Sequence, residues 1–166
     1  MIVVDTSVWV AVLRSRSAPE APALAALLDS DDVILPVPVR VELLLGAPAR
    51  ERKRLRMLLS ALPVAYPDDD TWRLTETWAQ DAADGGHRFG VGDLLIAALA
   101  SEQGALVWSL DRDFDRMARL KFVSVYDPPH AAIADLVGSV DGLPADLSAR
   151  KKHHLKATGY GRKRSR

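Results

Sequence analysis

Asp5, Glu42, Asp93 and Asp111 each stand in or beside an apolar run. Asp5 closes Ile2-Val3-Val4. Glu42 lies inside Val39-Arg40-Val41-Glu42-Leu43-Leu44-Leu45. Asp93 opens Leu94-Leu95-Ile96-Ala97-Ala98-Leu99-Ala100, and Asp111 comes shortly after Ala105-Leu106-Val107-Trp108. A carboxylate at the edge of an apolar element is costly to desolvate unless it is paired, hydrogen-bonded or bound to a metal. One such residue is ordinary. Four of them, spread over most of the chain, suggest a fold that gathers them into one acidic pocket for hard divalent cations. Such a pocket points to metal-assisted chemistry on phosphate esters.

Each acid also has a plainer reading. Asp5 or Asp93 can cap a helix. Glu42 can face solvent from an amphipathic helix. Asp111, Asp113 and Asp115 form an acid-rich turn, of which some members are simply solvated. The joint pattern carries more weight than any one residue.

These side chains need elements to position them. Met1–Val4 reads as a short buried strand, followed by a helix to about Arg14 capped by Thr6 or Ser7. Ser17–Pro19 breaks it, and Pro22–Leu28 reads as a second helix. Val33–Pro36 is a second strand. Pro38 suits the first turn of a third helix, which holds Glu42 and ends near Gly46. Helices are predicted over Arg50–Leu62, Asp70–Ala83 and Val91–Gln103, and strands over Val64–Tyr66, Leu106–Trp108 and Phe122–Tyr126. Short apolar strands alternating with helices imply a parallel sheet covered on both faces. In such a sheet, ligands bind outside the carboxyl ends of the strands. Asp5 and Asp111 follow strands, Asp93 follows Gly90-Val91-Gly92 at a helix start, and Glu42 lies one turn into a helix, so all can meet at that edge.

Composition excludes several alternatives. The 166 residues contain no cysteine, so disulfides and thiolate metal sites are ruled out. Of His87, His130, His153 and His154, only the last two are adjacent, which argues against a histidine-built zinc site. Apolar content is 48%, and no run approaches a membrane span. With no basic, apolar leader at the start, a cytoplasmic location is expected. Net charge is zero, but residues 148–166 hold eight Lys or Arg and no acid. Removing these eight from the 22 basic residues leaves 14 against 22 acidic ones, a net of −8 for the rest. An acidic body with a basic tail is a common layout for a nucleic-acid partner, and equally for a solubilising terminus. Pro128-Pro129 closes the domain. A weak helix is expected over Ala131–Val137 and disorder beyond it.

The motifs Val4-Asp5-Thr6-Ser7-Val8, Val41-Glu42-Leu43, Gly92-Asp93-Leu94-Leu95-Ile96-Ala97-Ala98 and Ser109-Leu110-Asp111-Arg112-Asp113-Phe114 resemble the PIN-domain nucleases. Their acids stand in order at spacings of 37, 51 and 18 residues. Within that family they look like the VapC-type toxins of toxin–antitoxin pairs. The resemblance covers about residues 1–127 and leaves 128–166 as a C-terminal extension that it does not explain. It implies a three-layer α/β/α fold with a five-stranded parallel sheet. It also implies endoribonuclease activity dependent on Mg²⁺ or Mn²⁺, inhibition by a cognate VapB-type antitoxin, and usually a homodimer. Asp5, Glu42, Asp93 and Asp111 match the family's acids. Asp5, Asp93 and Asp111 would ligate the principal metal, and Glu42 a second metal or the attacking water. Ser7 and Ser109 match supporting hydroxyls, although the family more often has Thr where Ser109 stands. Asp113 is an outer acid. RNA would also need cations; Arg14, Arg16, Arg88, Arg112 and the tail are candidates, and His87 lies on the approach to Asp93.

Other readings fit less of the pattern. An aspartyl phosphotransferase in the haloacid-dehalogenase style wants a second Asp two residues after Asp5, where Ser7 stands. A receiver domain leaves Glu42 and Asp93 unused. A non-catalytic RNA- or partner-binding PIN domain is the remaining alternative, and it usually lacks pocket acids.

Overall fold

The structure, a computed structural model, describes residues 1–15 and 17–128. Ile2–Val4 forms β1, whose three side chains are all buried. So short a strand is held by its neighbours on both sides. β2 (Val33–Pro36) pairs with it in parallel through Ile2–Val33 and Val3–Ile34. β4 (Leu106–Trp108) pairs on the other side through Ile2–Leu106, Val3–Val107 and Val4–Trp108. β3 (Val64–Ala65) adds to β2, giving the order β3-β2-β1-β4. β1 is thus interior, which accounts for its lack of any polar position.

Seven helices complete the described residues: α1 (Thr6–Arg14), α2 (Ala21–Asp29), α3 (Val37–Gly46), α4 (Ala49–Leu59), α5 (Asp69–Asp84), α6 (Val91–Glu102) and α7 (Arg112–Arg119). This is the expected α/β architecture with a parallel sheet. α6 is buried from Leu94 to Ala100 on every side, as a helix enclosed by other elements must be. Opposite the sheet, α5 meets α6 through Thr71, whose hydroxyl donates to Glu102 at 2.8 Å. The Trp78 ring on α5 stacks on Phe122 at 4.7 Å.

Two expectations need correction. The sheet has four strands among the described residues, because Phe122–Tyr126 makes only an isolated bridge, Val107–Val125. The start of that segment is committed elsewhere: Phe122 N–H donates to Met117 O and closes the end of α7. Only Ser124 and Tyr126 reach β4, through Val107 N–H to Ser124 O at 2.9 Å and Tyr126 N–H to Val107 O at 2.7 Å. The supposed acid-rich turn after Asp111 is instead α7. Its Asp111 cap, Asp113 and Asp115 in the first turn and Arg116 and Arg119 in the last complement the helix dipole. Phe114 and Met117, spaced one turn apart, bury its inner face. Arg16, the helix expected at 131–137 and the basic tail lie outside the described residues.

Candidate active site

The carboxyl ends of β1 and β4 lie side by side. Asp5 follows β1 and is the N-cap of α1, in place of the Thr6 or Ser7 expected there. Its backbone N–H donates to Trp108 O at 2.9 Å, which locks it to the end of β4. The side chain is 5% exposed, one of few buried charged groups. Its Oδ2 accepts from Ser7 N–H at 3.1 Å, Ser7 Oγ at 2.6 Å and Ser109 Oγ at 2.8 Å. The hydrogen bonds given to this carboxylate all fall on Oδ2, so Oδ1 accepts none from the described residues.

The two serines also tie the loop after β4 to the start of α1. Ser7 Oγ accepts from Leu110 N–H at 3.0 Å, and Ser109 Oγ accepts from Asp111 N–H at 2.9 Å. Asp111 caps α7 by accepting from Asp113 N–H at 2.9 Å. Ser7, Ser109 and Asp111 therefore form one continuous chain of hydrogen bonds with Asp5.

Asp93 reaches the same place from α6. Gly90, not Asp93, is the N-cap of that helix, and Asp93 lies in its first turn. A Cβ on Gly90 would stand 2.8 Å from Asp93 Oδ2, so glycine is what lets the carboxylate fold back over the helix start. The Asp93 carboxyl is pushed up from 3.8 to about 6, first by burial and then by the charges of Asp5, Asp111, Asp113 and Glu42. All the acids singled out in the sequence thus act on one group.

Glu42 arrives differently from expectation. Its apolar neighbours do not bury it, because only Val39 and Leu43 of α3 face the core while Val41 and Leu45 are exposed. Glu42 is itself exposed, yet fixed: the Thr6 hydroxyl donates to its Oε2, and a Cβ on Gly92 would lie 3.5 Å from its Oε1. Thr6 is a site residue that sequence reasoning missed; no periodicity could reveal a contact between residues 36 apart.

The rim holds Asp113, His87, Phe89 and Arg116. Arg116 Nη1 pairs with Asp113 Oδ1 at 2.7 Å, and its guanidinium carbon lies 5.1 Å over the Phe89 ring. Arg88 and Arg112 are exposed nearby in sequence, and Arg14 is exposed at the end of α1. Among the described residues, no ion pair involves Asp5, Glu42, Asp93 or Asp111. No helix of the described residues is long and apolar enough to cross a membrane.

The chain matches a known family. A model described as PIN domain matches residues 2–120. Ribonuclease VapC11 of Mycobacterium tuberculosis and a VapC ribonuclease of Mycobacterium bovis are each 32% identical over 125 residues, 72% of this chain and 93% of theirs. VapBC2 from Rickettsia felis, bound to a promoter DNA fragment, shares the fold with a TM-score of 0.64 at 19% identity, over 76% of this chain and 98% of that one. VapBC-5 from M. tuberculosis, a member of the VapBC family of toxin–antitoxin systems, is similar with a TM-score of 0.53 at 26% identity, over 74% of this chain and 94% of that one.

Proposed function

The chain belongs to the PIN-domain family, and from that premise we propose that it is a divalent-metal-dependent endoribonuclease, the toxin of a toxin–antitoxin pair acting in the cytoplasm. The observation that carries the reading is the gathering of Asp5, Glu42, Asp111 and Asp113 around Asp93, whose carboxyl is pushed up to about 6 by burial first and by their charges second. Such crowding is unfavourable for the fold alone, and a cation offsets it. No group of three His, Cys, Asp or Glu among the described residues stands ready-made to hold an ion. Mg²⁺ keeps several waters and takes only one or two carboxylates directly, so an open ring of acids fits it. The Asp5 oxygen left without a hydrogen bond points to the same use. Asp5, Asp93 and Asp111 would hold the principal ion, directly or through water, and Glu42 a second ion or the attacking water.

When bound, the cation supplies charge neutralisation at the phosphoryl oxygens and a lowered pKa for the attacking water. The protein's own work is placement. Ser7 and Ser109 fix one oxygen of Asp5 and so aim the other. Thr6 holds Glu42 at the pocket's edge, where it would bind or orient a second ion or the attacking water. Asp111 is anchored at the head of α7 and cannot swing away. With a water activated by such an ion, RNA cleavage would not need the neighbouring 2′-hydroxyl.

The relatives named VapC ribonucleases support RNA as substrate, and the similar VapBC-5, a member of a toxin–antitoxin family, supports control by an antitoxin. Purified protein should cut single-stranded RNA with Mg²⁺ or Mn²⁺, lose the activity in chelator, and lose it in folded Asp5→Asn. Co-expression of the small protein encoded beside it should restore growth. RNA binding without metal-dependent cutting would sink the catalytic reading and leave a binding module.

A further inference from the structure

An acidic pocket repels a polyanion, so the cation nearest the pocket has a particular importance. Four ion pairs occur among the described residues. Three involve Asp32, Glu51 and Asp70. Only the fourth, Arg116–Asp113, includes one of the acids that act on Asp93. An exposed ion pair one helical turn apart is ordinarily worth little. This one is braced from outside its helix. The guanidinium lies over the ring of Phe89, and its Nη2 approaches His87 Nδ1 at 3.4 Å. The His87 and Phe89 rings are parallel within 6°, with centroids 6.1 Å apart. Both belong to the segment leading into Gly90, the cap of the helix that carries Asp93.

Arginine has five N–H donors and no acceptor. In this contact His87 Nδ1 must therefore accept, which places the ring proton on Nε2 and makes that nitrogen a donor. Arg116 spends one N–H on Asp113 and one on His87, leaving three, and its side chain is 37% exposed. A flat, aromatic-backed guanidinium with spare donors is well matched to phosphate. On the reading that the pocket cuts RNA, we propose that Arg116, braced by Phe89, and His87 form a clamp for a backbone phosphodiester of single-stranded RNA flanking the one cleaved. Asp113 then keeps the clamp at the pocket wall, and the contact fixes which bond lies over the acids. A phosphate contact of this kind positions the chain and carries no base preference.

The test separates the clamp from the nuclease reading. Affinity for a fluorescent single-stranded RNA is measured with Mg²⁺ in the Asp5→Asn background, at several salt concentrations. Arg116→Gln should weaken binding roughly tenfold and flatten the salt slope by about 0.7. Arg116→Lys keeps the charge and hence the slope but loses the fork, so affinity should still fall; Phe89→Leu and His87→Gln should each fall partway. With Asp5 intact, Arg116→Gln should raise KM far more than it lowers kcat. An RNA with one neutral methylphosphonate beside the mapped cut should lose as much on the wild type as Arg116→Gln loses, and the two changes should not add. Unchanged affinity and slope in folded Arg116→Gln overturns the clamp, as does a fall in kcat at constant KM. Wild type that binds RNA but never cuts it overturns the nuclease reading instead, and the binding arm still decides the clamp.

Discussion

Replacing Asp93 with Asn should make the cation-free protein more stable, and the gain should depend on pH. Asn has nearly the same shape but cannot ionise. In the wild type the Asp93 carboxyl titrates at about 6 in the folded chain against 3.8 ordinarily. The folded state therefore holds this proton more tightly than the unfolded state. Its contribution is fully present below 3.8 and is lost as pH rises through about 6. The whole difference corresponds to about 3 kcal/mol. Asp93 is only half-buried, so solvent screening reduces this to about 1–2 kcal/mol. In chelator, urea unfolding of wild type and Asp93→Asn should nearly coincide at pH 3, below 3.8, and diverge by that amount at pH 7.5. Mg²⁺ should then narrow the gap, because it binds the acids of the wild type and stabilises it by mass action. Asp93→Asn should be inactive throughout on the proposed reading. A variant no more stable than wild type at pH 7.5, or a gap that does not change with pH, would refute the picture of one acid crowded by four.

Other substitutions probe the supports. In Gly90→Ala the new methyl meets only the end of the Asp93 side chain at 2.8 Å, so thermal melting should shift little while metal-dependent cleavage falls at least tenfold; unchanged cleavage would mean that the carboxylate position is not critical. Ser109→Ala removes the donor to Asp5 and the acceptor for Asp111 N–H, and should cost about 1–2 kcal/mol in urea unfolding together with activity, whereas Ser109→Thr should retain both. Truncation after Leu147 removes eight basic residues and no acid. If about four of them engage phosphates, the salt slope of RNA binding should flatten by about 3 without moving the cut site; faster cleavage by the truncated protein at low salt would contradict this.

The residues that were legible from sequence share a physical reason. β1 and β2 are buried throughout, β4 at Val107 and Trp108, and α6 from Leu94 to Ala100, so they read as unbroken apolar runs bounded by Gly, Pro or Asp. Their ends place Asp5, Asp93 and Asp111, and that part of the pocket followed directly. α7 was hidden because its acids and arginines look like a solvated turn unless the Asp111 cap and the Phe114–Met117 spacing are read together. Phe122–Tyr126 reads as a strand from its apolar run, but Phe122 and Val123 are apolar for another reason: Phe122 closes α7 and both pack on the core. Glu42 lies in an apolar run that suggests burial, yet it is exposed. What holds it is Thr6, and such contacts between distant segments leave no periodic trace. The same is true of Arg116 and His87, 29 residues apart.

The hydrogen bond from Ser109 to Asp5 spans 104 residues, and β1 lies between β2, made early in that interval, and β4, made at its very end. During synthesis the first acid of the pocket therefore emerges long before the residues that hold it. At about 5–20 residues per second, Ser109 follows Asp5 by roughly 5–20 s. Until then β1 has one open edge, Asp5 has no partner from β4, and Asp111 does not exist. A chain that cuts RNA while still attached to its own message would destroy its template. Building the pocket from the first strand and the last one of the sheet delays its assembly until the domain is nearly finished.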